Sequence, residues 1–282
     1  MGKTQGDYEQ QQLVKIEEWE NASPSHISRA VGFFAAPLVW AATQVVPESA
    51  MEQALNAAFV AASAVTGGDD LLKDARLMGY SAERIADLSK ASLHLCDALA
   101  VSVTTWAKGL AGTEGAITGV TGLPGLAVDI PAMIVLAIRT IRRMGFCYGF
   151  DTGLDDERSF ILQVLSAGAA NTSEEKTRAV KGAWDVRAYL DSDKKKSLAK
   201  AEGEILGKET FAAAVRNLAK QLCINLTRRK ATQAIPVIGG GVAAVMNVWF
   251  INDVAEGAMR LYQKRRLEII TVDGSKVPAK KS

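Results

Sequence analysis

His94, Cys96 and Asp97 fall within one short stretch, and an imidazole, a thiol and a carboxylate are the parts of an acid/base or nucleophilic site. Successive helical residues point about 100° apart, however, so Cys96 faces away from His94, and core and surface positions of one helix are the simpler reading. His26 stands alone near a helix start and reads as a local hydrogen-bonding residue. The stretch GEILGKET, from Gly203 to Thr210, has the flavour of a phosphate loop. Its glycines are too close together, and Glu209 separates Lys208 from the hydroxyl residue, so nucleotide binding is rejected. Gly239, Gly240 and Gly241 lack the preceding strand of a dinucleotide site. Asp129 is the acidic residue of an otherwise uncharged run and must be capping, paired or protonated. The first expectation is a cap for a helix restarting at Pro131. A buried pair with Arg139, Arg142 or another arginine is the second, and proton or ligand binding the third. Asp253, Glu256 and Arg260 share one face of the last helix, reading as a solvated or interhelical stripe. No residue is assigned a catalytic, cofactor-binding or metal-ligating role.

The elements that would position these residues are helices. Leu13, Ile16 and Trp19 recur at helical spacing within Tyr8 to Glu20. Pro47 and Glu48 suit a helix start, and Thr66-Gly67-Gly68 suits its end. A short helix from Asp69 should stop at Gly79, and a long one should run from Ser81 to about Gly109. The glycine-rich stretch from Leu110 to Gly125 reads as a loop. Further helices are expected over Pro124 to Met144, Leu154 to Ala170, Ser173 to Leu190 with Ser173 as its cap, and Lys208 to Arg229. A last one runs to about Arg266. Three segments are strongly apolar: Val31 to Val46, Pro124 to Ile138, and Ile235 to Ile251. Ala231 to Asn252 carries no charge and is long enough for the roughly twenty helical residues that cross a ~30 Å hydrocarbon layer. Its Pro236 and three glycines also suit a tightly packed core hairpin, opposite the small residues Gly125, Ala127 and Ala132.

Long alternating Val/Ile/Thr/Tyr runs are almost absent, which favours helices over strands. With 33 basic against 31 acidic residues, nothing global points to nucleic acid. The three cysteines are far apart, with neither a disulfide framework nor zinc-ligand spacing. The opening residues lack the apolar core of a secretory signal, and Gly6 stands where myristoylation would want Ser or Thr. The expected fold is all-α, a single multi-helical domain over residues 1–270 whose Gly/Pro-initiated apolar helices pack as a bundle, with 271–282 a flexible polar tail.

Three blocks carry a family resemblance: Thr121 to Asp151, Asp155 to Gly168, and Gln233 to Leu267, with YEQQQLVKIEEWE at the start. Together they resemble the EcsC family, named for a protein encoded beside the subunits of an ATP-binding-cassette transporter. The resemblance implies a bacterial protein and a transporter accessory role, and transfers no catalytic residues. The resulting expectation is a non-enzymatic, membrane-associated or lipid-interacting protein at the inner face of the cell membrane. Gly125, Pro131, Pro236, Gly239, Gly240, Gly241 and Trp249 would pack against membrane or partner. The basic clusters Arg142-Arg143 and Lys264-Arg265-Arg266 would contact anionic headgroups. The competing expectations are a soluble helical protein enclosing a lipid-like ligand and an enzyme of unrecognised type.

Overall fold

The computed structural model describes residues 5–24, 48–65, 67–118, 123–153, 157–191, 200–231 and 239–272. Every element among them is helical: α1 (Gln5–Asn21), α2 (Glu48–Val65), α3 (Asp69–Leu77), a 3-10 turn (Ile85–Lys90), α4 (Leu93–Thr118), α5 (Leu123–Cys147), α6 (Glu157–Gly168), α7 (Ser173–Asp191), α8 (Lys200–Ala231) and α9 (Gly239–Val272). The all-α bundle is the fold the composition called for. The segment Val31 to Val46, Pro236 and all of the tail beyond Val272 lie outside the described residues. Gly125 falls within α5, and Gly239, Gly240 and Gly241 form the first turn of α9.

Helices α4, α5 and α9 form the centre, and their registers follow from a few contacts. Asp97 meets Gln263, Lys108 meets Asn252, and Gly112 faces Val248, so α4 and α9 run antiparallel along their length. Asn247 bonds Asp129 and Tyr262 abuts Gly145, so α5 and α9 run parallel. The C-terminus of α4 and the N-termini of α5 and α9 therefore share one end of the bundle. These three helices bring little charge to that end, for Glu114 and Asp129 are the ionisable residues between Gly109 and Ile138 and none lies between Gly239 and Asn252, although α8 finishes in Arg228-Arg229-Lys230 shortly before α9. The interior between these helices is filled by Leu99, Val103, Ile130, Ile134, Ile138, Ile141, Ile251, Val254 and Leu261, all buried. Each such aliphatic side chain stabilises the fold by about 1.5–3 kcal/mol. These parts of the apolar helices bury in protein, whereas Val245 and Trp249 of α9 stay exposed. Among the described residues no helix is long and apolar enough to cross a membrane.

Local chemistry sets the ends. Gly79 and Gly149 are the two described glycines with positive φ, at 85° and 82°. Each closes a helix in the same way: Tyr80 N–H donates to Ala75 O and Gly79 N–H to Arg76 O, while Phe150 N–H donates to Gly145 O and Gly149 N–H to Phe146 O. These paired bonds satisfy carbonyls that the helix itself leaves open, and only glycine takes the left-handed conformation cheaply. Three sequence expectations are corrected. Gly112 and its neighbours do not make a loop, because α4 runs through to Thr118; packing against Val248 outweighs the intrinsic cost of glycine. Residues 81–92 do not open the long helix; a 3-10 turn precedes it, held by Asp87, which accepts from the N–H groups of Arg84 and Glu83. Ser173 does not cap α7, since the hydroxyl accepting the Glu175 N–H at 3.2 Å belongs to Thr172, and Ser173 instead bonds Ser23.

Glycines also mark where helices touch. A Cβ on Gly168 would lie 2.6 Å from Val254 Cα, so α6 approaches the backbone of α9 as closely as a missing side chain allows. A Cβ on Gly109 would meet nothing within 4 Å. Gly168→Ala should therefore cost about 3 kcal/mol, whereas Gly109→Ala should stabilise by about 0.5–1 kcal/mol. Urea unfolding of the two variants should give midpoints that move in opposite directions.

Candidate functional site

The buried polar residues converge where α1 crosses α9. Asp97, on α4 and 4 % exposed, receives three hydrogen bonds. Tyr8 on α1 donates at 2.6 Å, Tyr148 at the end of α5 at 2.7 Å, and Gln263 Nε2 on α9 at 2.8 Å. Gln263 Oε1 in turn accepts from Arg260 at 2.9 Å, and Arg260 also reaches Gln12 at 3.4 Å. A carboxylate among donors from three other helices is fully committed. Burial, then the neighbouring Asp97 charge, push the Tyr148 phenol well above its ordinary range, and the same causes raise Tyr8. Burial pushes the Cys96 thiol up to about 12, and its hydrogen points at Leu88 O at 3.7 Å. Cys147 is raised likewise by burial.

Arg260 carries the network to a cleft of ≈ 370 Å³ between α1, α6, α7 and α9. Asp253, Glu256 and Arg260 all line it, with Lys15, Glu18, Trp19 and Lys176 opposite or beside them. The stripe read from the sequence as solvated or interhelical is thus one wall of a charged cleft. Lys176 is only 6 % exposed. Its ammonium donates to the carbonyl of Trp19 and, at 3.0 Å, to that of Ala22, and lies 4.2 Å from the Trp19 ring centroid. It thereby closes the C-terminal end of α1, where open carbonyls favour a cation. Burial lowers its pKa, opposed by the charges of Glu256, Glu20 and Asp253. An amine occupied in this way is a structural cation and not a nucleophile.

The remaining candidates are dispersed. His94 is exposed and its ring packs 5.2 Å from that of Tyr8, so the spacing with Asp97 creates no dyad. Asp129 does not cap a restarted helix; α5 continues through Pro131, and Asp129 lies buried with Asn247 Nδ2 at 3.2 Å. Arg139 stands ten residues further on, over the Trp106 ring at 5.4 Å, with Arg143 at 4.6 Å from the same centroid. Three members of the basic clusters, Arg142, Arg265 and Arg266, point inward, whereas Arg143 and Lys264 stay partly exposed. Arg142, Arg265 and Arg266 are 4 %, 8 % and 8 % exposed. Arg265 makes a bidentate pair with Glu157 at 2.7 Å on both arms and stacks on Phe150. Lys264 bonds Glu20 at 2.8 Å, Arg143 bonds Asp70 at 2.6 Å, and Arg266 reaches Ala91 O. Of the packing candidates whose burial is described, Pro131 is half-buried and Trp249 is exposed, at 40 %. Among the described residues no group of His, Cys, Asp or Glu could hold a metal ion.

Fold and site together define an all-helical protein whose polar chemistry is spent on holding helices to one another. The chain matches the EcsC protein family over residues 10–267 and belongs to it. It is similar to the uncharacterised protein YdbA of Bacillus subtilis (strain 168), 28 % identical over 185 residues. That match covers 66 % of this chain and 63 % of YdbA, so the chain spans less than two thirds of that relative's length. No solved structure matches.

Two outcomes follow from the Asp97 cluster. Asp97→Asn offers one acceptor where two oxygens served three donors, and should cost about 3 kcal/mol; Tyr8→Phe should cost about 1 kcal/mol. Urea midpoints check both. The buried thiols and Tyr148 stay protonated in the folded chain, whereas unfolded Cys and Tyr ionise near pH 8.5 and pH 10. The unfolded state then binds fewer protons, so stability should fall as pH rises above about 8.5, by up to about 1.4 kcal/mol per pH unit and group. Urea unfolding at a series of alkaline pH values would show the decline, and a flat profile would contradict it.

Proposed function

We propose that this chain is a non-enzymatic, membrane-associated protein that meets lipid through the end of the bundle where α4 finishes and α5 and α9 begin. The observation that carries the reading is an exposed apolar stripe on α9 at that end. Val245 and Trp249, one helical turn apart, are 43 % and 40 % exposed. Exposed tryptophan next to a charge-free region suits the boundary between headgroups and hydrocarbon, where an indole keeps its ring in lipid and its N–H in water. A membrane at the cytoplasmic face is the surface, and a transporter subunit is the partner class that the family resemblance suggests. The basic residues at 142, 265 and 266 take no part in this contact, being engaged inside. A binding role fits Asp97, Lys176 and Glu157, whose polar atoms are taken by neighbouring helices.

Flotation of the full-length chain with phosphatidylcholine–phosphatidylglycerol vesicles tests the reading. The wild type should float, and Trp249→Ser should weaken partitioning roughly tenfold without changing the unfolding midpoint. A wild type that stays with the soluble fraction, or a Trp249→Ser chain that floats equally well, would sink it.

A further inference from the structure

Beside the cleft and the Asp97 cluster, Arg139 stands out as a cation without an acidic partner among the described residues. Arg139 is half-buried on α5, and its Nε is shielded from water without a hydrogen-bond partner. Among the described residues its guanidinium meets the Trp106 ring and neither a carboxylate nor a carbonyl. One turn further along α5, Arg143 lies over the same indole, at 4.6 Å from the centroid, and its ion pair is with Asp70. That acid is largely open to solvent, its side chain 58 % exposed. Two guanidinium groups on one aromatic ring, with a single exposed carboxylate bonded to one of them, leave a local excess of positive charge. Stacking occupies the faces of the guanidinium planes and leaves their N–H edges for a planar or tetrahedral oxyanion.

We propose that Arg139 and Arg143, held by Trp106, bind the phosphate of an anionic ligand, either a phospholipid headgroup or a free phosphate. In its lipid form this rests on the membrane reading above. The register supports that form. Arg139 follows Asp129 by ten residues, about 15 Å along α5, whereas Trp249 lies only about 3 Å beyond Asn247, the residue beside Asp129. The arginine pair therefore sits on the far side of Trp249 from the charge-free end, the side on which headgroups lie if that end meets lipid. Trp106 is a positioning residue that keeps the two like charges together.

The test measures binding of the full-length chain to phosphatidylcholine vesicles with and without phosphatidylglycerol, and to inorganic phosphate by phosphorus NMR line broadening. Arg139→Gln should lower affinity for the phosphatidylglycerol vesicles about fivefold and leave the neutral vesicles unaffected. Asp70→Asn releases Arg143 from its carboxylate and should strengthen binding; as a surface change it does not depend on Arg139→Gln folding. Phosphate binding by the wild type but not by Arg139→Gln, without any vesicle binding, would keep the site as a soluble anion site and end the membrane reading. Vesicle binding that both Arg139→Gln and Asp70→Asn leave unchanged, with no phosphate response, would overturn the site and keep the membrane reading. A wild type that responds to neither probe would overturn both.

Discussion

A single buried carboxylate fixes how four helices meet. Asp97 projects from α4 into the space where α1, α5 and α9 converge, and one donor arrives from each. Removing a charge from water costs several kcal/mol, recovered only if hydrogen bonds replace the lost hydration. That condition restricts register: Tyr148 must follow the end of α5, which the left-handed turn at Gly149 arranges, and Gln263 must face α4 and not solvent. A slip of one residue in α9 would rotate Gln263 away by about 100° and leave the carboxylate short of a donor. The apolar contacts supply most of the stabilisation, but they tolerate sliding far better than this cluster does.

Charge is distributed along the bundle with a consistent sense. The Asp97 end also holds Arg265 with Glu157 and Arg266 with the Ala91 carbonyl, while α4, α5 and α9 bring few ionisable groups to the opposite end. Ion pairs of this kind are seldom a net gain over apolar packing, yet removing one partner is expensive. They therefore act as a lock on the arrangement. Within these three helices the two ends therefore differ in polarity, and the proposed lipid contact rests on that difference.

Much of the architecture was legible in the sequence because helix signals are local. Pro47-Glu48 marked the start of α2, and Gly79 the end of α3. The blocks from Thr121 to Asp151 and from Gln233 to Leu267 carried the family. What the sequence concealed depends on partners far along the chain. Asp129 looked like a cap because its nearest neighbour was Pro131, whereas its mate Asn247 is supplied by α9. The basic clusters looked like surface features because runs of Lys and Arg usually are; Glu157 and Glu20, from distant segments, engage Arg265 and Lys264. Asp97 was visible but weighed with His94, when the residues that matter to it were Tyr8, Tyr148 and Gln263. The stripe of Asp253, Glu256 and Arg260 was readable from helical spacing, but the opposing wall of its cleft was not.

The docking of α1 has a consequence for the order of events at the ribosome. Gln12 is bonded by Arg260 and Gln263, 248 and 251 residues away, and Glu20 by Lys264 at a separation of 244. The helix made early in synthesis thus leans on the one made late, and contacts of such sequence separation are slow to form. Until α9 has emerged, Gln12 and Glu20 lack these partners and Asp97 lacks its Gln263 donor. While the residues between α1 and α9 are being made, α1 is only partly seated, an interval in which any chaperone or membrane surface that recognises an amphipathic helix has access to it.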